Sequence, residues 1–433
     1  MEKSLNLNTS PMIGDSIKME KVYFKTFGCR TNQFDTQVMM SKLKDFELTT
    51  SESEADVIMV NSCTVTNGAD SSVRTYINGV NRKNPNAKVI IAGCGSISKG
   101  ESLFESKKVF GVMGHSEKEN INAILKKNKP FYEIGDLNHI DSTIVENFIG
   151  KSRAFIKIQE GCDFNCSYCI IPSVRGRARS HKEKNILTQV ERLALNGFGE
   201  FILTGTNVGS YGRDQNSSMA KLLKKISYIR GVRRIRIGSL EPIQIDDEFK
   251  ELLKEPWMAK HLHIALQHTS DKMLKLMNRR NNFNSDRELL EELADYDYAI
   301  GTDYIVGHPG EDKESWKEAI NRVKILPLTH IHAFTYSKRD GTLSTTMTEE
   351  IRGNIAKDRR IELISIIKDK NLQFRKSHNK NLDTLLENGK NGIYQGYDQY
   401  FNRVEVRSSD DLSGNWVSFS NVTVQGSKNV AIF

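Results

Sequence analysis

Three cysteines stand within one run of eight residues near the middle of the chain. The run reads Cys-Asp-Phe-Asn-Cys-Ser-Tyr-Cys, and its cysteines are Cys162, Cys166 and Cys169. Thiolates this close repel one another unless a metal neutralises them, so the run indicates a metal site. The alternating, β-branched pattern of residues 155–160 predicts a strand just before it, which places the cysteines on the loop that follows the strand.

Two kinds of metal site are open at this point. A closed zinc site needs four ligands, and His181 is the nearby candidate for the fourth. An iron–sulfur cluster held by three cysteines would leave one iron free for a substrate or a cofactor. Buried cysteines without a metal are a poor alternative, because the three thiols share a polar loop that also contains Asn165.

A second set of three cysteines lies in the first part of the chain. Three predicted strands end shortly before Cys29, Cys63 and Cys94. Since the carboxyl ends of parallel strands meet at one edge of a sheet, these thiols should converge there. One such cysteine would usually be a small buried hydrophobe, but three in equivalent places predict a second metal site with an open coordination position.

The whole chain has the composition of a globular protein with a basic surplus. Its 433 residues carry a net charge of +8, which favours a polyanionic partner. No apolar run approaches the roughly 20 residues that span a bilayer, and residues 1–18 lack a secretory signal, so we expect no membrane contact. Six cysteines in such a chain fit reduced thiols of a cytoplasmic protein better than disulfides.

Alternating strands and helices predict an α/β protein with a parallel sheet. Met19-Glu20-Lys21 repeats the opening Met1-Glu2-Lys3, so residues 1–18 are interpreted as a disordered extension. Residues 19–130 form the first α/β domain in this interpretation, and 131–152 form a linker. Its predicted strands are 22–27, 57–60, 88–92 and 109–113, with helices near 35–45, 70–81 and 117–127.

A second alternating pattern over 153–376 predicts a partial (β/α)6 barrel with its active site at the C-terminal face of the strands. A long helix near 354–376 should close it. Residues 377–433 change to short strands and turns, which predict a small antiparallel β-barrel that is either a nucleic-acid clamp or a structural cap. The predicted barrel strands are 155–159, 201–204, 234–237, 262–266, 302–306 and 331–334.

This order of parts resembles the radical-SAM methylthiotransferases, and the C-terminal module looks like their TRAM domain. The cysteine spacing of four then three, with Tyr168 before the last cysteine, resembles the motif whose cluster binds S-adenosyl-L-methionine. The resemblance implies two [4Fe–4S] clusters, an electron donor such as flavodoxin or ferredoxin, and a sulfur donor. It assigns one cluster to Cys162, Cys166 and Cys169, and an auxiliary cluster that carries the transferred sulfur to Cys29, Cys63 and Cys94.

Residues at the other strand ends are the candidates for binding S-adenosyl-L-methionine. Glycine would let the backbone approach the ligand, while Ser, Glu and Gln offer polar atoms to its ribose and amino group. A turn or helix cap is a rival explanation for each. His268-Thr269 and His308 depart from the residues that the family more often has. The candidates are Tyr168, Gly205, Thr206, Ser239, Glu241, Gln267 and Gly307.

A basic run follows the cysteine loop directly. Arg175, Arg177 and Arg179 alternate with small residues and leave the predicted mouth of the barrel. A charge run is usually a solvated face, but its position makes binding of RNA phosphates an equal alternative. We therefore predict that these arginines contact a tRNA anticodon stem-loop.

The substrate prediction depends on the segments around the first cysteines. Residues 28–33 and 61–66 look most like the branch that modifies N6-threonylcarbamoyladenosine at position 37, on carbon 2. The alternatives are the isopentenyladenosine branch and the branch that modifies an aspartate of a ribosomal protein, which tends to have proline after the first cysteine. Rivals of another kind are a radical-SAM methylase with structural N-terminal thiols and a non-catalytic, zinc-bearing RNA-binding protein.

Overall fold

The computed structural model describes residues 19–432, so the predicted extension 1–18 lies outside the described residues. Six parallel strands form the first sheet, in the order β2-β1-β3-β4-β5-β6. They are β1 Lys21–Thr26, β2 Glu47–Leu48, β3 Val57–Ser62, β4 Lys88–Gly93, β5 Gly111–Met113 and β6 Phe131–Glu133. The helices of this domain are α1 Arg30–Lys42, α2 Asn67–Lys83, α3 Cys94–Glu105 and α4 Ile121–Leu125.

The central strands of this sheet are apolar on both faces. In β3, Val57 and Met59 pack into one core, while Ile58 and Val60 pack into a second core on the opposite face. Helices cover both sides of the sheet, which is why the strand reads as a continuous apolar run without alternation. The carboxyl ends of β1, β3 and β4 therefore lie side by side at one edge.

The sequence predicts a linker over residues 131–152, but the structure shows that this segment is packed into the protein. Phe131–Glu133 pairs with β5 and extends the first sheet. Further along, Val145 and Phe148 pack into the core of the barrel, and Asp141 is buried. The predicted helix 117–127 is a 3₁₀ turn followed by the short α4. The segment thus joins the two parts by packing against both.

Six parallel strands form the predicted partial barrel. Two ladders, β10-β9-β7 and β11-β12-β13, are joined by isolated bridges, and the short β8 runs antiparallel to β7. The strands are β7 Ala154–Glu160, β8 Arg179–Ser180, β9 Glu200–Gly205, β10 Arg234–Ile237, β11 His261–His263, β12 Ala299–Val306 and β13 Leu328–Thr335. The helices are α5 Ile171–Arg175, α6 Glu183–Leu195, α7 Met219–Ser227, α8 Asp247–Glu251, α9 Asp271–Leu276, α10 Phe283–Asp295, α11 Lys313–Ile325 and α12 Gly353–Ser377.

The C-terminal module is a curled, mainly antiparallel sheet in the order β17-β14-β15-β16-β19-β18, and its one parallel pair is β16 with β19. Its strands are β14 Lys380–Leu386, β15 Ile393–Tyr397, β16 Arg403–Arg407, β17 Trp416–Asn421, β18 Thr423–Gln425 and β19 Lys428–Ile432. Arg234 and Arg236 of β10 donate to its backbone carbonyls, and Arg153, just before β7, pairs with Glu387. The module therefore covers the amino-terminal end of the barrel, whereas the cysteine loop follows the carboxyl end of β7.

Candidate active site

Cys162, Cys166 and Cys169 lie on the loop after β7, as the sequence predicts. The backbone N–H of Cys162 donates to Gly176 O at 3.1 Å, which ties the loop to the segment after α5. The N–H of Cys169 donates to Cys166 O at 3.0 Å and closes a turn between these two residues. Backbone hydrogen bonds thus fix the direction of the loop independently of any bound group.

Nitrogen donors surround the sulfur atoms of this loop. The Phe164 N–H lies 3.4 Å from Cys162 Sγ, and Asn207 Nδ2 lies 3.6 Å from the same sulfur. Arg279 Nη1 lies 3.5 Å from Cys166 Sγ. Burial, with the neighbouring thiols as a smaller contribution, raises the pKa of Cys169 to about 12. These thiols need a metal to become thiolates, and the N–H donors then suit sulfur atoms that bind a cluster.

The carboxylate of Glu241, a predicted cofactor contact, is bound by the guanidinium of Arg279. Its Oε1 accepts from Arg279 Nη1 at 3.0 Å, and Arg279 Nη2 bonds its second oxygen in a bidentate pair. Because Arg279 also reaches Cys166, Glu241 positions a positive charge beside the cysteine loop. Sequence reasoning missed Arg279, since its partners are 38 and 113 positions away.

Ser239 and Gln267 are brought together by β12. Ser239 Oγ lies 3.5 Å from Asp303 Oδ2, and the N–H of Gln267 donates to Asp303 O at 3.0 Å. Gln267 adopts a left-handed backbone with φ of 66° at the point where the chain leaves the barrel wall. These two candidates therefore line the same side of the barrel mouth.

The remaining candidates are packed against the protein. A Cβ on Gly205 would stand 2.8 Å from Gln159 O, and one on Gly307 would stand 2.6 Å from Ala356 Cβ. The Gly307 N–H already donates to buried Glu311 at 2.7 Å. Close packing alone accounts for both glycines. Thr206 is half-buried after β9, and the Tyr168 ring stands edge-on to His308 at 6.4 Å.

The structure also brings the second set of cysteines together. Cys29 caps α1, Cys63 follows β3, and Cys94 begins α3, all at the carboxyl edge of adjacent strands. Gly28 has φ of 99°, and a Cβ there would stand 2.5 Å from Cys63 Cβ, so only glycine permits this approach. Burial raises the pKa of Cys63 to about 12, with further contributions from Cys94 and Cys29.

Polar residues next to these cysteines hold the strand ends in place. Asn32 Nδ2 donates to Phe27 O and Ser62 O, both at 2.9 Å. Asn61 Nδ2 donates to Asn32 O at 2.8 Å. Residues of the segments 28–33 and 61–66 therefore hold together the strand ends that carry Cys29 and Cys63.

Arg175 and Arg179 do not form the predicted RNA surface. Arg175 is only 2% exposed; its Nε lies 3.2 Å from Cys94 Sγ, and its Nη2 donates to Asn32 Oδ1 at 2.5 Å. Arg179 is buried and donates to backbone carbonyls and to Glu160. Only Arg177 is exposed. The prediction is therefore wrong for Arg175 and Arg179, whose donors are used inside the protein.

Arg175 belongs to a buried ion network that the sequence did not reveal. Lys157 Nζ lies 2.6 Å from both Asp35 Oδ1 and Asp141 Oδ2, and Lys118 joins the same two carboxylates. Burial would raise the pKa of Asp35, but Lys118, Lys157 and Arg175 hold it well below its usual range. The network joins the first domain, the segment 131–152 and the barrel.

His181, the candidate fourth zinc ligand, lies with this network. Its ring nitrogen is grouped with carboxylate oxygens of Asp141 and Glu160 within 4.8 Å. Burial lowers the pKa of His181 to about 4, and Lys157 adds to this effect, so the ring is neutral. The hypothesis of a zinc site shared by His181 and the cysteine loop is therefore not supported by the arrangement.

Comparison with known proteins defines the class. Residues 21–114 match the family described as "Uncharacterized protein family UPF0004", and residues 156–323 match the radical SAM superfamily. The fold is similar to the radical S-adenosylmethionine methyltransferase TsrM from Kitasatospora setae, with a TM-score of 0.57 at 14% identity over 73% of this chain and 75% of that one. The central part of the chain thus matches the radical SAM superfamily in sequence, and the fold is similar to that of TsrM.

Longer alignments identify the family. A putative methylthiotransferase of Helicobacter pylori is 52% identical over 96% of this chain and all of the relative. The threonylcarbamoyladenosine tRNA methylthiotransferase MtaB of Aquifex aeolicus is 34% identical over 84% of this chain and 92% of its own length. This chain belongs to the radical-SAM methylthiotransferase family. The hypotheses of a methylase and of a non-catalytic zinc protein are therefore wrong.

Relatives whose names give other substrates have a similar sequence identity to this chain. A tRNA-2-methylthio-N(6)-dimethylallyladenosine synthase of Fervidobacterium nodosum is 33% identical over 87% of this chain and 90% of its own length. The family implies S-adenosylmethionine and a [4Fe–4S] cluster, and the sulfur donors and N–H groups of the Cys162 loop fit such a cluster. Among residues 19–432, no helix combines the length and apolar character needed to cross a bilayer.

Proposed function

We propose that this enzyme transfers a methylthio group to carbon 2 of N6-threonylcarbamoyladenosine at position 37 of tRNA, and that it uses two [4Fe–4S] clusters. The observation that carries the proposal is the contact of Arg175, which ends the helix after the cysteine loop, with a thiol of the other cysteine set. Its Nε lies 3.2 Å from Cys94 Sγ, and its helix begins two residues after Cys169. Arg175 therefore connects the helix that follows the cysteine loop to the thiols at the strand ends.

Cys162, Cys166 and Cys169 are the proposed ligands of the cluster that binds S-adenosylmethionine. When bound, the cluster and S-adenosylmethionine together supply the radical chemistry that activates an inert C–H bond. The residues of the chain position the cluster: Asn207 and Arg279 direct N–H groups at the sulfurs, and Glu241 orients Arg279 through the bidentate pair. Tyr168, Gly205, Thr206, Ser239, Gln267 and Gly307 remain the proposed surroundings of the cofactor.

Cys29, Cys63 and Cys94 are the proposed ligands of the auxiliary cluster, whose open position would take the sulfur to be transferred. Three thiolates give this site a strong negative charge. Arg175 is fully desolvated and stands beside Cys94, where its positive charge opposes the effect of burial on that thiol. Asn32 and Asn61 hold together the strand ends that carry Cys29 and Cys63, so that a cluster can bind without rearranging them.

Exposed arginines take the place of the buried Arg175 and Arg179 in the proposed RNA contacts. Arg177, Arg213 and Arg280 are exposed beside the cysteine loop, and the Arg280 guanidinium stacks 4.1 Å from the Phe164 ring centroid. A cleft of about 300 Å³ beside the loop is lined by Asp163, Phe164, Ala178, Arg179, Asn207, Ser210, Arg213, Asp214 and Arg280. Basic side chains around an aromatic ring can bind phosphates and stack a base.

The threonylcarbamoyl substrate is supported by the residues around Cys29 and Cys63 and by a relative with that printed activity. Overall identity does not decide between branches, because relatives with other printed substrates are equally similar. The net charge of +8 favours RNA. The proposal includes the anticodon stem-loop as partner, a flavodoxin or ferredoxin as electron donor, a separate sulfur donor, and the cytoplasm as the location.

Mass spectrometry of tRNA nucleosides from a strain lacking this gene tests the substrate. We expect loss of the methylthio form of N6-threonylcarbamoyladenosine and accumulation of the unmodified form, both reversed by the wild-type gene. Loss of the methylthio form of isopentenyladenosine would assign the enzyme to that branch. Unchanged tRNA together with an unmodified ribosomal aspartate would contradict the proposed RNA substrate.

A further inference from the structure

The barrel lumen contains two histidines and a carboxylate that none of the proposed roles uses. They are His263 at the end of β11, Asp303 in β12 and His332 in β13. His263 Nε2 lies 3.1 Å from Asp303 Oδ1, and His332 Nδ1 lies 3.3 Å from the same oxygen. The two imidazole rings stack with centroids 4.9 Å apart. Three side chains on three adjacent strands thus converge on one point.

Strand geometry explains why the three side chains share the lumen. Asp303 is the direct cross-strand neighbour of His332, and His263 pairs with Gly301. Residues two apart in a strand face the same side, so Asp303 lies on the same face as Gly301. A Cβ on Gly301 would stand 2.8 Å from His263 Nδ1, which shows that this face is the one lined by histidines.

A second observation points to a cation as the ligand. His263 Nε2 is buried and has no hydrogen-bond partner within residues 19–432, although a carboxylate oxygen lies 3.1 Å away. In the described part of the chain, the ion-pair partners of Asp303 are these two histidines alone. A cation between the three groups would satisfy both the nitrogen and the carboxylate.

A cluster with similar ligand types elsewhere shows the contrast. Asp141, Glu160 and His181 also bring three ligand atoms within 4.8 Å of one another. There, however, the Lys157 ammonium lies 2.6 Å from Asp141, and Lys118 Nζ lies 3.1 Å from it. Lysine already supplies the positive charge in that cluster. The lumen cluster lacks such a partner among residues 19–432.

We propose that His263, Asp303 and His332 bind a divalent first-row transition metal ion of the zinc class. Ligands about 2.0–2.1 Å from a tetrahedral ion lie about 3.3 Å apart, which matches the two measured separations. Two neutral imidazoles and one carboxylate are the ligands of open metal sites, in which a water or substrate atom completes the coordination. Ser239 Oγ, 3.5 Å from the second carboxylate oxygen, orients Asp303 from outside.

The proposed metal site lies where a substrate could reach it. The side chain of His332 is 62% exposed, so the open coordination position faces the accessible part of the lumen. Asp303 is joined through its backbone to Gln267 and through its carboxylate to Ser239, two proposed neighbours of S-adenosylmethionine. A metal held there would present a Lewis acid to oxygen atoms of a molecule entering the barrel.

Zinc content of the cluster-loaded enzyme tests the proposal. The wild-type protein is incubated anaerobically with Zn²⁺, desalted, and analysed for zinc and iron. We expect about one zinc ion per chain in addition to the full iron content. His332→Gln and Asp303→Asn should lower zinc affinity on the order of 100-fold or more, because even supporting residues around a metal typically contribute 10–100-fold.

His378→Gln is the matched control, since His378 Nε2 pairs with Asp297 at 2.7 Å in a histidine–carboxylate pair that is not part of the lumen cluster. It should retain zinc. Unchanged iron in every variant excludes unfolding and binding of zinc to vacated cysteines. Absence of zinc from the iron-replete wild type, or equal zinc in His332→Gln and wild type, would overturn the metal site.

Discussion

The two sets of three cysteines reach their positions by different routes. Cys162, Cys166 and Cys169 belong to one loop, which is held by hydrogen bonds within it, to the chain just after it, and to Met277 and Ser344. Cys29, Cys63 and Cys94 come from three strand ends, and no short segment contains more than one of them. The first site is a local property of the sequence, while the second exists only when the sheet has formed.

The surroundings of the two sites differ in the same way. N–H groups of Phe164, Asn207 and Arg279 approach the sulfurs of the loop. Around the strand ends, Asn32 and Asn61 bond to backbone carbonyls instead, and the charged contact comes from the barrel through Arg175. N–H donors thus set the electrostatic surroundings of the sulfurs in the loop site. The surroundings of the strand-end site depend on how the two domains pack.

Cys166→Ala should have the largest effect. It removes one of three proposed ligands from the loop, so the iron content should fall by about half and 5′-deoxyadenosine should no longer form. Product formation should stop as well. The measurement is chromatography of reactions with reductant and S-adenosylmethionine under anaerobic conditions. Undiminished 5′-deoxyadenosine from this variant would show that the loop does not hold the cofactor cluster.

Arg175→Met tests the packing of the two domains. It leaves Asp35 and Glu160 with one cation fewer in a buried network, which typically costs about 3–5 kcal/mol of unfolding free energy. Urea unfolding measures this change. Arg177→Met, two residues away but exposed, should change stability by less than about 0.5 kcal/mol. Equal unfolding midpoints for the two variants would show that the network does not join the domains.

Arg279→Lys should act on the loop site alone. Lysine cannot keep the bidentate pair with Glu241 while it contacts Cys166, so the reduction potential of that cluster should shift. Redox titration by electron paramagnetic resonance, in a Cys63→Ala background, isolates the loop cluster. Arg287→Lys, on the outer helix α10, is the control. An unchanged potential in Arg279→Lys would remove this arginine from the site.

The double variant Arg213→Ala, Arg280→Ala should have the smallest effect. A plot of log affinity for tRNA against log salt has a negative slope. Each lost phosphate contact should make that slope shallower by roughly 0.7 to 0.9. Filter binding at several salt concentrations measures the slope. Arg407→Ala, on the C-terminal module, should leave it unchanged. If Arg407→Ala makes the slope shallower instead, the module rather than the barrel mouth contacts the RNA.

Much of the fold could be predicted because its signals are local. Apolar runs that end near cysteines or glycines marked β3 and β4, and alternating patterns marked the barrel strands. The short β6 and β8 were missed, since three and two residues carry too little pattern. The segment 131–152 looked like a linker because its buried anchors, such as Asp141 and Val145, are single residues among polar ones.

The arginine run shows what sequence cannot show. Arg175, Arg177 and Arg179 look equivalent in the sequence, yet the first and third are buried and only the second is exposed. Their burial depends on Asp35 and Glu160, which are far apart in the chain. Arg175 ends α5 and Arg179 begins β8, and partners in other elements make the burial of both side chains possible.

The distinction between the two cysteine sites is tested most directly by Cys63→Ala. If the strand-end thiols hold a separate auxiliary cluster, this variant should contain about half the wild-type iron. It should still produce 5′-deoxyadenosine, because the loop after β7 is unchanged, but it should form no methylthio product on tRNA. A Cys63→Ala enzyme that keeps all its iron, or that installs methylthio groups at near wild-type yield, would contradict the two-cluster account.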